Sequence, residues 1–319
     1  MADSDRLDES SEHSEFPGSN ASQPAAGRGR FIVIAATFAL VAVPLLWSLV
    51  PVEIARWYQA SALEAELEGD LGRARAAMDK AVSWCPTEPT ILTARAGLHL
   101  EEHDLQAALQ DCNHALELDP EGFDALYFHR ALAYQRLGQH DKALADVEQI
   151  VRLAAEGPHV KKNGRARNVM FTYDRALNLR AYSRALAGVE ISAALDDIDE
   201  AIKLAGKATP SAYLDTRGYL RYLAGDLPGA EADMKVAIEE NELELQRVSS
   251  PLTPEATAAD PNLTDPQYVE QRTRQLREDL AVMYQHRGLI LEKRGQQAEA
   301  DADFVKAKEF GYSPENGVW

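Results

Sequence analysis

From Trp57 onward, apolar side chains return every three or four positions, the period of a helix that buries one face, and strand-like alternation is scarce. The helical pattern itself repeats. A first helix carries one small residue, Ala62, Ala96, Ala131, Ala181, Gly218 or Gly288. About twelve residues later a second helix opens with Ala74, Ala108, Ala143, Ala194, Ala230 or Ala300. Four positions after each of these alanines stands a larger apolar residue: Met78, Cys112, Val147, Ile198, Met234 or Phe304. Three further on come Ala81, Ala115, Ile150, Ala201, Ala237 and Ala307, so the set lies on one helix face. Small residues let two antiparallel helices approach closely, while the larger one fills the gap against the next pair. A lone hairpin would leave that face in water, and the pattern therefore predicts about six hairpins stacked in chain order.

Turn chemistry agrees with this reading. Gly69, Gly138, Gly188, Gly225 and Gly295 fall between paired helices, and Asp70, Asp104 and Asp226 stand where a side chain would cap the second helix. Pro86 and Pro120 follow the first two units. A charge pattern runs through the same register. An arginine precedes the small first-helix residue, and an aspartate follows sixteen or seventeen positions later: Arg95 and Asp111, Arg130 and Asp146, Arg180 and Asp197, Arg217 and Asp233, Arg287 and Asp303. In a hairpin that spacing sets the two side chains face to face, which predicts a register-fixing ion pair in five units, with Ser61 and Ala77 in its place in the first.

Stretches such as AYLDTRGYLRYLAGDLPGAEADMKVAI (212–238) and MYQHRGLILEKRGQQAEADADFVKAKEFGYSP (283–314) resemble the tetratricopeptide repeat. The resemblance implies an all-α fold, a right-handed superhelical solenoid of about six helical hairpins over 51–319. The small first-helix residues step by 34, 35, 50, 37 and 70, which places insertions near 156–172 and 240–270. In such arrays the first helices line a groove that grips peptides. Phe128, Arg136, Asn178, Tyr182, Asp215, Tyr219 and Tyr222 are the groove candidates here, with packing between repeats as the alternative role for the aromatic ones. The basic, asparagine-rich clamp that reads chaperone tails has no counterpart that can be placed on these helices. The implied function is a scaffold that holds partner proteins or peptides, without catalysis or cofactor.

The first fifty residues read differently. Residues 1–30 are acidic and rich in Ser, Gly and Pro, a composition too polar to fold. Residues 31–50, FIVIAATFALVAVPLLWSLV, carry no charge, and at ~1.5 Å per residue twenty of them span roughly the 30 Å of bilayer hydrocarbon, predicting a transmembrane helix. Pro44 is tolerated in such helices, and no small-x-small cleavage site follows. Arg28 and Arg30 against Arg56 favour a cytoplasmic N-terminus, with the repeat domain extracytoplasmic and the chain anchored to the membrane by this one helix.

The chain of 319 residues has a formal net charge of -18, which argues against nucleic acid as a partner. Its two cysteines, Cys85 and Cys112, form neither a disulfide framework nor a zinc motif. One segment, His99-Leu100-Glu101-Glu102-His103, fits the zinc-hydrolase pattern H-x-x-E-H and defines the alternative, a metal-dependent membrane hydrolase. It sits inside the repeat register, with His103 where other units place a turn glycine. Lys161, Lys162, Arg165 and Arg167 make a basic cluster in the first insertion.

Overall fold

The computed structural model describes residues 50–120, 124–157, 161–162, 165–166 and 170–313. Contacts divide the chain into Met1–Glu53 and Ile54–Trp319, and the repeats lie in the second unit. Thirteen helices are described: α1 (50–67), α2 (Leu71–Trp84), α3 (Pro89–Glu101), α4 (Leu105–Leu118), α5 (Asp124–Arg136), α6 (His140–Glu156), α7 (Tyr173–Ala187), α8 (Ile191–Ala205), α9 (Ser211–Ala224), α10 (Leu227–Ser249), α11 (Pro254–Ala259), α12 (Pro266–Lys293) and α13 (Gln297–Glu309). A two-residue antiparallel pair, Lys161–Lys162 with Arg165–Ala166, accompanies them in the first insertion. The fold is an all-α helical-repeat solenoid.

The hairpins are α3/α4, α5/α6, α7/α8, α9/α10 and α12/α13, each packed on the next, with α1 and α2 sharing a core ahead of them. Ala62, Ala96, Ala131 and Ala181 are buried at the crossings, opposite the fully buried Ala74, Ala108, Ala143 and Ala194. Two units use glycine instead, and the partner side chain is the reason. A Cβ on Gly288 would overlap the Phe304 ring, and one on Gly218 would lie 3.2 Å from the Ala230 carbonyl oxygen. The carboxylates of Asp70, Asp104 and Asp226 accept the backbone N–H of Arg73, Ala107 and Gly229, capping α2, α4 and α10.

The two insertions are held by different means. Asp124, buried at the start of α5, accepts the backbone N–H groups of Met170 and Phe171 at 2.8 to 3.0 Å, pinning the end of the first. The second lengthens α10 and α12, adds α11, and closes a small core of its own around Val248, Leu263 and Leu276.

The expected tail at 1–30 and the expected membrane span at 31–50 lie outside the described residues, Val50 excepted. Among the described residues no helix is long and apolar enough to cross a membrane, which corrects the expectation of a single-pass membrane protein with extracytoplasmic repeats. Val50 belongs to α1, a helix interrupted by Glu53, Arg56, Glu64 and Glu66, whose Ala55, Ala62 and Ala65 pack with α2.

Candidate functional site

A cavity of about 960 Å³ opens among the repeats. Leu100 of α3, Arg136 of α5, Asn178 and Tyr182 of α7, and Asp215 and Thr216 of α9 contribute to its lining. So do α12 residues between Glu270 and Met283, and Phe310 to Ser313 beyond α13. Four of the seven groove candidates thus meet here: Arg136, Asn178, Tyr182 and Asp215.

The polar groups of this lining are only partly satisfied. Arg136 donates through Nη1 to the Leu100 carbonyl at 2.7 Å, but its buried Nε finds no acceptor among the described residues. Burial weakens the hold of that guanidinium on its proton. The buried Oδ1 of Asn178 likewise accepts no hydrogen bond among the described residues. Asp215 is 7 % exposed, and its Oδ1 lies 2.9 Å from His286 Nδ1. Asp279, on α12, makes no hydrogen bond or salt bridge among the described residues. Burial pushes its carboxyl up to about 6, with Arg272 opposing and the like charges of Asp215 and Glu278 adding to the rise. An amide or cation entering the cavity would therefore meet Asn178 Oδ1 and the Asp279 carboxyl, which accept no hydrogen bond among the described residues.

The other three candidates pack between repeats. The Tyr219 ring stacks on His286 at 4.2 Å and on Tyr222 at 6.0 Å, and Lys293 Nζ lies 4.6 Å above Tyr222. Phe128 meets Phe171 at 5.1 Å, where the first insertion returns to the array. Tyr182 does both jobs, since it lines the cavity while its ring lies 6.3 Å from His286.

A second row of polar residues is built differently. Arg95, Arg130, Arg180, Arg217 and Arg287 each donate through Nε and Nη2 to both oxygens of Asp111, Asp146, Asp197, Asp233 and Asp303, at 2.6 to 2.9 Å. All five aspartates are buried. Donating hydrogen bonds to these carboxylates tightens each guanidinium's grip on its proton. Sequence reasoning missed two further parts. Nη1 of Arg95, Arg130 and Arg217 reaches Asp79, Asn113 and Asp199 on the preceding unit's second helix, so the same arginine ties hairpin to hairpin. The signal was a polar residue directly after Met78, Cys112 and Ile198. Arg184 and Arg221, one turn after Arg180 and Arg217, add a second donor to Asp197 and Asp233.

The H-x-x-E-H segment does not form one helical face. α3 ends at Glu101, and His103 adopts φ 60 in the turn, the left-handed conformation that Gly225 takes at φ 87 between α9 and α10. His99 is buried with Nε2 3.8 Å from Asp111. Among the described residues no group of three or more His, Cys, Asp or Glu could hold a metal ion.

Residues 125–156 match the tetratricopeptide repeat family. The chain is 36 % identical over 90 residues to human sperm-associated antigen 1, covering 28 % of this chain and 10 % of that protein. It is 42 % identical over 71 residues to the tetratricopeptide repeat and J domain-containing co-chaperone DNJ1 of Cryptococcus neoformans var. grubii, covering 21 % and 13 %. It therefore spans little more than a tenth of the length of these curated relatives. A tetratricopeptide repeat protein from Parabacteroides merdae shares the fold at a TM-score of 0.51 and 19 % identity, over 82 % of this chain and 95 % of that one. The match to the repeat family is confined to residues 125–156, and the structural likeness extends the helical-repeat fold along the array.

Proposed function

We propose that the chain holds extended segments of partner proteins in the cavity between α7, α9 and α12, and so serves as an interaction scaffold. Tetratricopeptide repeat proteins generally mediate contacts with other proteins or peptides, and one relative by sequence is a co-chaperone. The observation that carries the reading is the lining itself. Asn178 Oδ1 and Arg136 Nε are buried beside open volume without partners among the described residues, an arrangement that costs stability unless something else completes the bonds. Clefts of ~300 to 1,000 Å³ with a few placed polar groups are the usual form of a ligand site, and this one has that size.

Panning the full chain against a displayed library of random twelve-residue peptides tests the proposal. Peptides recovered on the native chain should be lost on the Arg136→Ala and Asn178→Ala variants while both stay folded. Recovery of the same peptides on all three proteins would place binding elsewhere and defeat the reading.

A further inference from the structure

Charge in the cavity is unevenly matched. Glu101, Asp215, Glu270, Glu278 and Asp279 supply carboxylates, against the guanidiniums of Arg136, Arg274 and Arg277 and the imidazole of His103. Two of the arginines are already engaged with neutral groups: Arg136 with the Leu100 carbonyl, and Arg277 with the Glu309 carbonyl at 3.1 Å and the Phe310 ring at 5.3 Å. The aspartates contrast with those of the hairpin pairs. Each buried aspartate there has an arginine across both oxygens, whereas Asp215 meets only His286 and Asp279 has no ion pair among the described residues. Arg272, near Asp279, is turned to Gln275 and Glu244 at 3.4 and 3.9 Å. Asp215 and Asp279 line the same open volume, and the like charge of Asp215 adds to the cost of ionising Asp279. Where one buried and one half-buried carboxylate share a cavity wall, an incoming cation gains twice, by pairing and by relieving like-charge repulsion.

We infer that the cavity selects peptides carrying a lysine or arginine, whose side chain enters beside Tyr182 and sets its charge between Asp215 and Asp279. The inference rests on the cavity being a peptide site and adds the sign of the peptide. Asn178 and Arg136 face the remainder of the peptide, and the formal net charge of -18 draws basic segments toward the chain and turns acidic ones away. An acidic peptide would add a sixth carboxylate to a lining in which five face three guanidiniums.

The same library decides the matter. Groove-dependent peptides should carry Lys and Arg well in excess of Asp and Glu. One such peptide, fluorescein-labelled and followed by anisotropy, should lose about tenfold in affinity when its lysine becomes glutamine. Asp279→Asn should erase that difference between the two peptides, and Asp279→Lys should reverse the preference toward a glutamate version, with thermal melts showing both variants folded. Groove-dependent peptides that are acidic or unbiased, or a lysine preference that survives Asp279→Asn, would overturn the inference and leave the scaffold reading standing. A library with no groove-dependent peptide would overturn both.

Discussion

The paired helices of the array carry two rows of buried and half-buried polar side chains, and the rows obey opposite rules. Toward the second helix of each hairpin, every buried aspartate is gripped by both prongs of an arginine, and Asp197 and Asp233 by a second arginine as well. Toward the cavity, Asn178 and Arg136 keep buried atoms without partners among the described residues, and Asp279 stays unpaired. A satisfied buried pair fixes register and would be costly to break, while an unsatisfied one holds free energy that a ligand can release. The contrast separates what holds this molecule together from what the proposed scaffold would hold.

The strongest way to break the comparison is to strip a hairpin pair of its only arginine. Arg130→Ala leaves Asp146 buried with no guanidinium, and the melting midpoint should fall by the equivalent of roughly 3 to 5 kcal/mol. Arg217→Ala should cost distinctly less, because Arg221 still donates to Asp233. Equal losses would mean that the pairs do not act through desolvation.

Packing at the crossing gives the next effect. Gly288→Ala forces a methyl into the Phe304 ring and should destabilise by about 1 to 3 kcal/mol, with Gly288→Ala/Phe304→Leu recovering most of it in a thermal melt.

Asp279 gives an effect of the opposite sign. Its folded carboxyl titrates at about 6, above the ordinary 3.8, so the folded chain binds this proton more tightly than the unfolded one. That contribution to stability is fully present below the unfolded value and is lost as pH rises through 6. Asp279→Asn should therefore stabilise at pH 7.5 by about 1 to 3 kcal/mol and flatten the stability profile between pH 4 and 6 in denaturant titrations. A variant less stable than the parent at pH 7.5 would show that Asp279 is paired in solution. The smallest effect belongs to Asn178→Ala, which should shift stability by less than about 0.5 kcal/mol, since it removes no bond made among the described residues.

The hairpins, their crossing alanines and the spacing of the arginine and aspartate pairs were legible in the sequence because each is a local, periodic constraint. A repeat of sixteen positions across a short turn leaves little freedom in where two side chains meet. Which aromatic residues face the cavity was not legible. Helical period says that Tyr219 shares a face with Tyr222, but not that His286, far along the chain, covers it. Asp279 escaped notice for the same reason. The second insertion read as an interruption between repeats, whereas the lengthened α12 supplies much of the cavity lining. His103 was legible in part: the register placed it in a glycine's position, and the structure gives it the glycine's backbone.

Two variants measured two ways test the separation of the rows most directly. Arg130→Ala and Asn178→Ala would each be followed by thermal melting and by affinity for a library-derived lysine peptide, at a temperature where both are folded. Independent rows give a crossed result: Arg130→Ala lowers the melting point and leaves affinity unchanged, while Asn178→Ala leaves the melting point and loses affinity about tenfold. Both variants moving both quantities together would contradict it, because the two rows would then be one.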